Sequence, residues 1–387
     1  MALSGAVLLA LLLVLLFVIE RNAALEEYEP ALITTTNKIP PEAVGVTIET
    51  GIIDGAAYRI DMPQHWNRGL IVFYHGYSIG PMSYPSHGYL APALRQFVNK
   101  GYAVAQSAFS ASGWAIEEGA ADSEKLRQYF VEKNGRPDQS FVFGMSMGGL
   151  LAVQALETLP AEYEGGLSLC GAIERSDYLL ERDFLLLSAF DFYFPDLLGP
   201  LYPASSTFLP TAQAERKVID ALGSNTRATE SLLRWWGVGD LRTLARMLAF
   251  DYYEMAELQH RARGNPFDTE DFLFTGSGDD HALNAGVKRF AADSAAASYV
   301  QAWYTPSGQL TRPLLAVHDI GDPLVPAYTA FDYALAARHA GHAANFVQQF
   351  ANRAGHCAFT PQEIAQAFDQ LLAWVREGKR PLSGAIR

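Results

Sequence analysis

Short apolar runs alternating with helical spacings set the rhythm of this chain. Val44 to Thr50 alternates apolar and polar positions, and Ala56 to Met62 follows across the Asp54-Gly55 turn, which predicts two paired strands. Leu70-Ile71-Val72-Phe73-Tyr74 is apolar without a break, as a strand buried on both faces should be. Tyr102 to Ala108, Phe141 to Phe143, Leu167 to Gly171, Leu314 to Val317 and Asn345 to Phe350 repeat that signal. Between them, Ala120 to Lys133 has helical spacing and stops at Asn134-Gly135, and Gly148 to Leu159 stops before Pro160. Pro361 to Gly378 closes the series, with proline in its first turn and Ala365, Phe368, Leu371, Leu372 and Val375 along one face. Strand-helix alternation predicts an α/β fold with a mostly parallel sheet covered on both faces.

One stretch departs from the rhythm. Residues 175–311 show little strand signal, carry aromatic clusters between Phe190 and Leu201, and contain helical runs such as Glu230 to Phe250. We read them as a mainly helical insertion into a core made of residues 40–174 and 312–380.

The N-terminus is separate again. Ala2 to Ile19 is almost wholly apolar, ends at Glu20-Arg21, and would span about 27 Å as a helix. It has no polar face, so a secretory signal or signal anchor within residues 1–24 is expected. Asn22-Ala23-Ala24 is a poor small-x-small cleavage site, so removal and retention as a membrane tether both stay open. Either outcome exports the body of the protein, as a secreted, periplasmic or membrane-anchored form.

Composition narrows the classes. Of 387 residues, 49% are hydrophobic and 18% charged, which excludes a disordered chain and allows a large core. Lys and Arg number 29 against 42 Asp and Glu, a formal charge of −13 that argues against binding nucleic acid through phosphates. Two cysteines cannot supply a zinc-finger set, and no metal or cofactor is called for.

Gly144-Met145-Ser146-Met147-Gly148 stands between the strand Phe141 to Phe143 and a helix, the strand-turn-helix context that a G-x-S-x-G motif requires. A sharp turn there strains the serine backbone, and glycines on either side let strand and helix approach closely. The following helix would aim its positive N-terminus at the hydroxyl. Serine needs a base. His356 lies just beyond the strand Asn345 to Phe350, where a loop could reach Ser146. His339 and His342 suit a solvated helix end, and His65, His87, His260 and His281 suit the surface. After the strand Leu314 to Val317, both Asp319 and Asp322 could orient the imidazole; the Gly321-Asp322-Pro323 turn favours Asp322, with Asp319 in reserve. The backbone N–H groups of Met147 and Tyr77 are the expected oxyanion donors, Tyr77 following Tyr74-His75-Gly76 at the same sheet edge. The acidic residues Asp268, Glu270, Asp271, Asp279 and Asp280 match no calcium-loop spacing and read as solvated loop.

The order Ser146, Asp322, His356, with His75-Gly76 upstream, resembles the α/β-hydrolase superfamily over roughly residues 40–380. The resemblance implies a mostly parallel eight-stranded sheet, with the nucleophile after strand five, the acid after strand seven and the histidine after strand eight. It also implies that residues 175–311 form a cap between strands six and seven. No His-Gly-Gly-Gly run is present, unlike the lipase and carboxylesterase branch, and the elbow holds Ser146 where dehalogenases and epoxide hydrolases have aspartate. Such a relay performs acyl transfer, and a small-molecule ester is the expected substrate. Phe184, Phe190, Phe192, Tyr193, Phe194, Trp235 and Trp236 suggest an apolar pocket or simply the packing of the insertion. An aminopeptidase or amidase is the alternative, with Glu254 or Glu257 to meet a substrate amine. Cys170 ends a strand and Cys357 follows His356, so a disulfide and two buried thiols both remain open.

Overall fold

The computed structural model describes residues 45–88 and 90–386; the apolar run at residues 2–19, with its signal or anchor reading, lies outside them. Strands β1 (Val46–Ile53) and β2 (Ala56–Pro63) pair antiparallel, with Val46 opposite Pro63 and Ile53 opposite Ala56. There follow β3 (Gly69–Tyr74), helix α1 (Pro92–Asn99), β4 (Ala103–Ser107), α2 (Ile116–Asn134), β5 (Gln139–Met145), α3 (Met147–Thr158) and β6 (Gly165–Leu169). Helices α4 (Ser176–Tyr193), α5 (Ala212–Ser224), α6 (Thr226–Trp236), α7 (Leu241–Ala262), α8 (Asp280–Gly286) and α9 (Ser294–Ala302) come next. The chain closes with β7 (Leu314–Gly321), α10 (Thr329–His339), β8 (Phe346–Ala354), α11 (Pro361–Glu377) and β9 (Gly384–Ala385).

The sheet runs β1-β2-β4-β3-β5-β6-β7-β8-β9. Pairing is antiparallel up to the β2–β4 contact and parallel from β4 onward. Among the described residues the sheet has nine strands where eight were expected, because β9 adds Gly384 and Ala385 beside Gln349 and Phe350. Two residues without an apolar run leave no signal in the sequence. Helix α1 was also unread; its buried positions Ala93, Leu94, Phe97 and Val98 fill only two turns and follow a glycine-rich stretch.

Alternation along β5 decides which helix meets which face. Phe141 and Phe143 point to one side, where Phe368 of α11 packs edge-on against Phe141, Phe97 and Tyr102 with centroids 5.4, 4.8 and 5.2 Å apart. Val142 points to the other, where it shares space with Leu156 of α3. Helix α11 begins on a capping box, Thr360 accepting from the Glu363 N–H while Glu363 reaches back to Thr360.

Residues 182–296 form one compact unit and the remaining described chain another, which holds the whole sheet. In the helical unit, the run expected over Glu230 to Phe250 is broken in two. Gly237 ends α6 with φ 80°, and Asp240 caps α7 by accepting from the N–H groups of Arg242 and Thr243 at 3.0 and 2.9 Å. The aromatic residues of this unit pack on one another: Phe184 on Phe267 and Phe290, Phe190 on Phe194, Phe192 on Tyr193, and Trp235 on Trp236 and Phe274.

Phe368 joins the last helix to the central sheet, so Phe368→Ala should lower the unfolding free energy by about 3–5 kcal/mol. A urea titration checks this, and a loss below about 1 kcal/mol would mean that the aromatic cluster does not carry the core.

Candidate active site

The turn after β5 is built around close backbone contact. Ser146 has φ 56° and ψ −127°, a left-handed conformation that costs a non-glycine residue about 1–3 kcal/mol. The residues two positions before and after it must be glycine. A Cβ on Gly144 would sit 1.9 Å from the Gly148 carbonyl oxygen, and one on Gly148 would sit 2.0 Å from that of Tyr74. The elbow is tied to the next strand, as the Ser146 N–H donates to the Leu169 carbonyl at 3.1 Å. Met147 opens α3, so its N–H has no acceptor within the helix.

The loop after β3 leans on the same turn. A Cβ on Gly76 would lie 3.1 Å from the Ser146 Cβ and 3.7 Å from its Oγ, which puts residue 76 beside the hydroxyl. His75 is buried, stacks on Phe109 with centroids 3.9 Å apart, and uses Nδ1–H to donate to the Gly76 carbonyl at 2.6 Å. Burial lowers its imidazole to about 4 against the pull of backbone hydrogen bonds with Gly76 and Ala108, so the ring stays neutral. Its stacking and its hydrogen bond shape the loop.

His356 follows β8 and faces both remaining partners. Its Nδ1–H donates to Asp322 Oδ2 at 2.7 Å, and its Nε2 accepts from the Ser146 hydroxyl at 2.8 Å. The acceptor-only carboxylate settles the tautomer. Asp322 directly follows a register shift between Asp319 and Gly321, where β7 meets β8. Its other oxygen accepts from the N–H groups of Leu324 and Val325, both at 3.0 Å. Burial alone would raise this carboxyl. The charge of His356, the hydrogen bond it donates and the nearby His318 ring outweigh burial and hold it down to about 2.

The two aspartates left open by the sequence thus have different tasks. Asp322 touches the imidazole, whereas Asp319 accepts from the Ala358 N–H at 2.8 Å and pairs with Arg353 at 3.0 Å. Asp319 therefore anchors the loop that carries His356. His318 was missed by sequence reasoning. It is buried, donates from Nε2 to the Val325 carbonyl at 2.7 Å, and lies 3.6 Å from Asp322 Oδ2. The four-residue spacing to Asp322 was visible, but the curl of the loop that joins them was not.

Cys170 and Cys357 form a disulfide with Cα atoms 5.3 Å apart, linking the end of β6 to the residue after His356. His65, His87, His260 and His281 are exposed, as expected, and His339 ends α10. Among the acidic loop residues, Asp268 and Asp280 accept from turn N–H groups at Glu270 and Ser277.

Strand order, with Ser146 after β5, Asp322 after β7 and His356 after β8, gives the chain the α/β-hydrolase fold. No protein-family model and no curated protein matches the sequence. Among solved structures, a Pyrococcus horikoshii acylaminoacyl peptidase is similar at TM-score 0.45 and 11% identity, over 87% of this chain and 42% of that one. The chain thus spans less than half the length of that peptidase. A Pyrococcus furiosus esterase is similar at TM-score 0.45 and 14% identity, over 87% and 94% of the two chains. An esterase/lipase from an uncultured bacterium is similar at TM-score 0.44 and 12% identity, over 93% and 98%.

A carboxyl held at about 2 when folded, against its usual 3.8, stabilises the native state above about pH 4 and loses that contribution as pH falls through the lower value. Unfolding measured through this window should show about 2 kcal/mol of acid-dependent stability that Asp322→Asn abolishes. A wild-type-minus-variant difference that stays flat with pH would contradict it.

Proposed function

We propose that this α/β-hydrolase chain is a serine hydrolase that cleaves carboxylic esters through an acyl-enzyme. The observation that carries the reading is the unbroken relay from Ser146 to His356 at 2.8 Å and from His356 to Asp322 at 2.7 Å. Ser146 Oγ attacks the ester carbonyl while its proton passes to His356 Nε2. Asp322 stabilises the imidazolium through Nδ1–H. The N–H groups of Met147 and Tyr77 meet the oxyanion, and losing one such donor would cost about 3–4 kcal/mol of transition-state stabilisation. The imidazolium then returns its proton to the departing alkoxide. Water, deprotonated by the same nitrogen, attacks the acyl-enzyme and releases the acid and Ser146.

Esters are preferred over N-terminal peptides for a specific reason. The amine of a peptide substrate would need an accessible carboxylate. Of the two that the sequence offered, Glu254 is buried and Glu257 is taken up by Arg261 at 2.9 Å. The Cys170–Cys357 disulfide and the apolar stretch at residues 2–19 support work in an oxidising compartment outside the cytoplasm.

Ser146→Ala should abolish hydrolysis of a short nitrophenyl ester in a protein whose unfolding midpoint is unchanged, and a fluorophosphonate should label Ser146 alone. Labelling at another serine, or full activity in the variant, would remove the relay from the reaction. Asp322→Asn should lower kcat about 10⁴-fold by favouring the wrong tautomer. Asp319→Asn, whose amide oxygen still accepts from Ala358, should cost less than about tenfold. Turnover of matched esters and aminoacyl amides tests the substrate class, and faster amide cleavage would reverse the choice of esters.

A further inference from the structure

Three carboxylates that the relay does not use are gathered inside the helical unit. Asp183 lies on α4, and Asp251 and Glu254 lie three apart on one face of α7. One oxygen from each comes within 4.8 Å of the other two. Asp183, Asp251 and Glu254 are 4%, 0% and 4% exposed. Both oxygens of Asp251 are fully buried within this cluster and accept no hydrogen bond among the described residues. An orphaned buried acceptor is costly, and more so when it is charged.

The charge of Arg182 acts on Asp251 and Glu254. Arg182 donates to Asp183 from Nη2 at 2.9 Å, and Arg261 is occupied by Glu257.

We propose that Asp183, Asp251 and Glu254 form a Ca²⁺ site within the helical unit. All donors are oxygens, with no imidazole or thiolate among them, which selects a hard cation over zinc or copper. Calcium binds oxygen at about 2.3–2.6 Å, so two of its ligands can lie at most about 5 Å apart. The three oxygens, all within 4.8 Å of one another, fit that limit. Asp251 has both oxygens available for bidentate binding. Mg²⁺ keeps its own waters and demands octahedral geometry, which a site this enclosed serves poorly. Protons are the competing occupant, since burial, with repulsion from Asp183, raises the carboxyls of both Asp251 and Glu254.

The test uses the full chain, stripped with EGTA and titrated with CaCl₂ by calorimetry while thermal unfolding is followed in parallel. One Ca²⁺ should bind per chain, and the unfolding midpoint should rise until that site is filled. Asp251→Asn and Glu254→Gln should each weaken binding at least about tenfold, because carboxylate charge sets the affinity. If Asp251→Asn fails to unfold cooperatively, Glu254→Gln and the wild-type titration still decide. Absence of calcium binding, an equal midpoint rise with Mg²⁺, or unchanged affinity in the variants would overturn the site. So would a midpoint that rises on acidification and ignores calcium, since protons would then fill the cluster.

Discussion

The imidazole of His356 is held from several sides, and the proposed chemistry rests on that restraint. Asp322 takes its Nδ1–H, Ser146 meets its Nε2, the disulfide fastens the next residue, and Asp319 grips the Ala358 N–H. Each fastening comes from the carboxyl end of a parallel strand. The β7–β8 register brings Gly321 beside Ala354, so the acid and the base leave the sheet together. A free imidazole would lose rotamer entropy each time it found the serine. This one has already surrendered that freedom in folding, which is what preorganisation means for a proton relay.

The nucleophile is restrained by a different device. Carbonyls of Tyr74 and Gly148 occupy the space that side chains at 148 and 144 would need. The loop before Tyr77 and the helix after Ser146 are therefore pressed together by missing methyl groups. Strain at Ser146 persists because both sides of the turn are fixed: β5 is central in the sheet, and α3 is buried for most of its length.

Local patterns revealed most of this in advance. The apolar runs around β3, β5 and β7 are continuous because both faces are covered, and the glycine spacing at 144 and 148 carries its own steric reason. His356 and Asp322 could be read because each stands just past such a run. Features that rest on distant pairing were hidden. His318 acts only through the curl of the Asp322 loop, and Asp319 and Asp322 fall on either side of a register shift that no spacing announces. Strand β9 exists because β8 offers it an edge. The broken run after Trp236 was legible in principle, since Gly237 and Asp240 are ordinary stop and start signals. Asp251 carried no signal and Glu254 read only as a partner for a substrate amine until α4 brought Asp183 against them.

The bond between Cys170 and Cys357 spans 187 residues of sequence, and that interval contains the entire helical unit along with Asp322. It makes the protein a covalent ring with two tails. A protease cutting once anywhere inside the ring would open it without releasing a fragment. Ser146 on one tail and His356 within the ring would still travel as one molecule, so a nicked enzyme would keep its parts together until a reductant parted them.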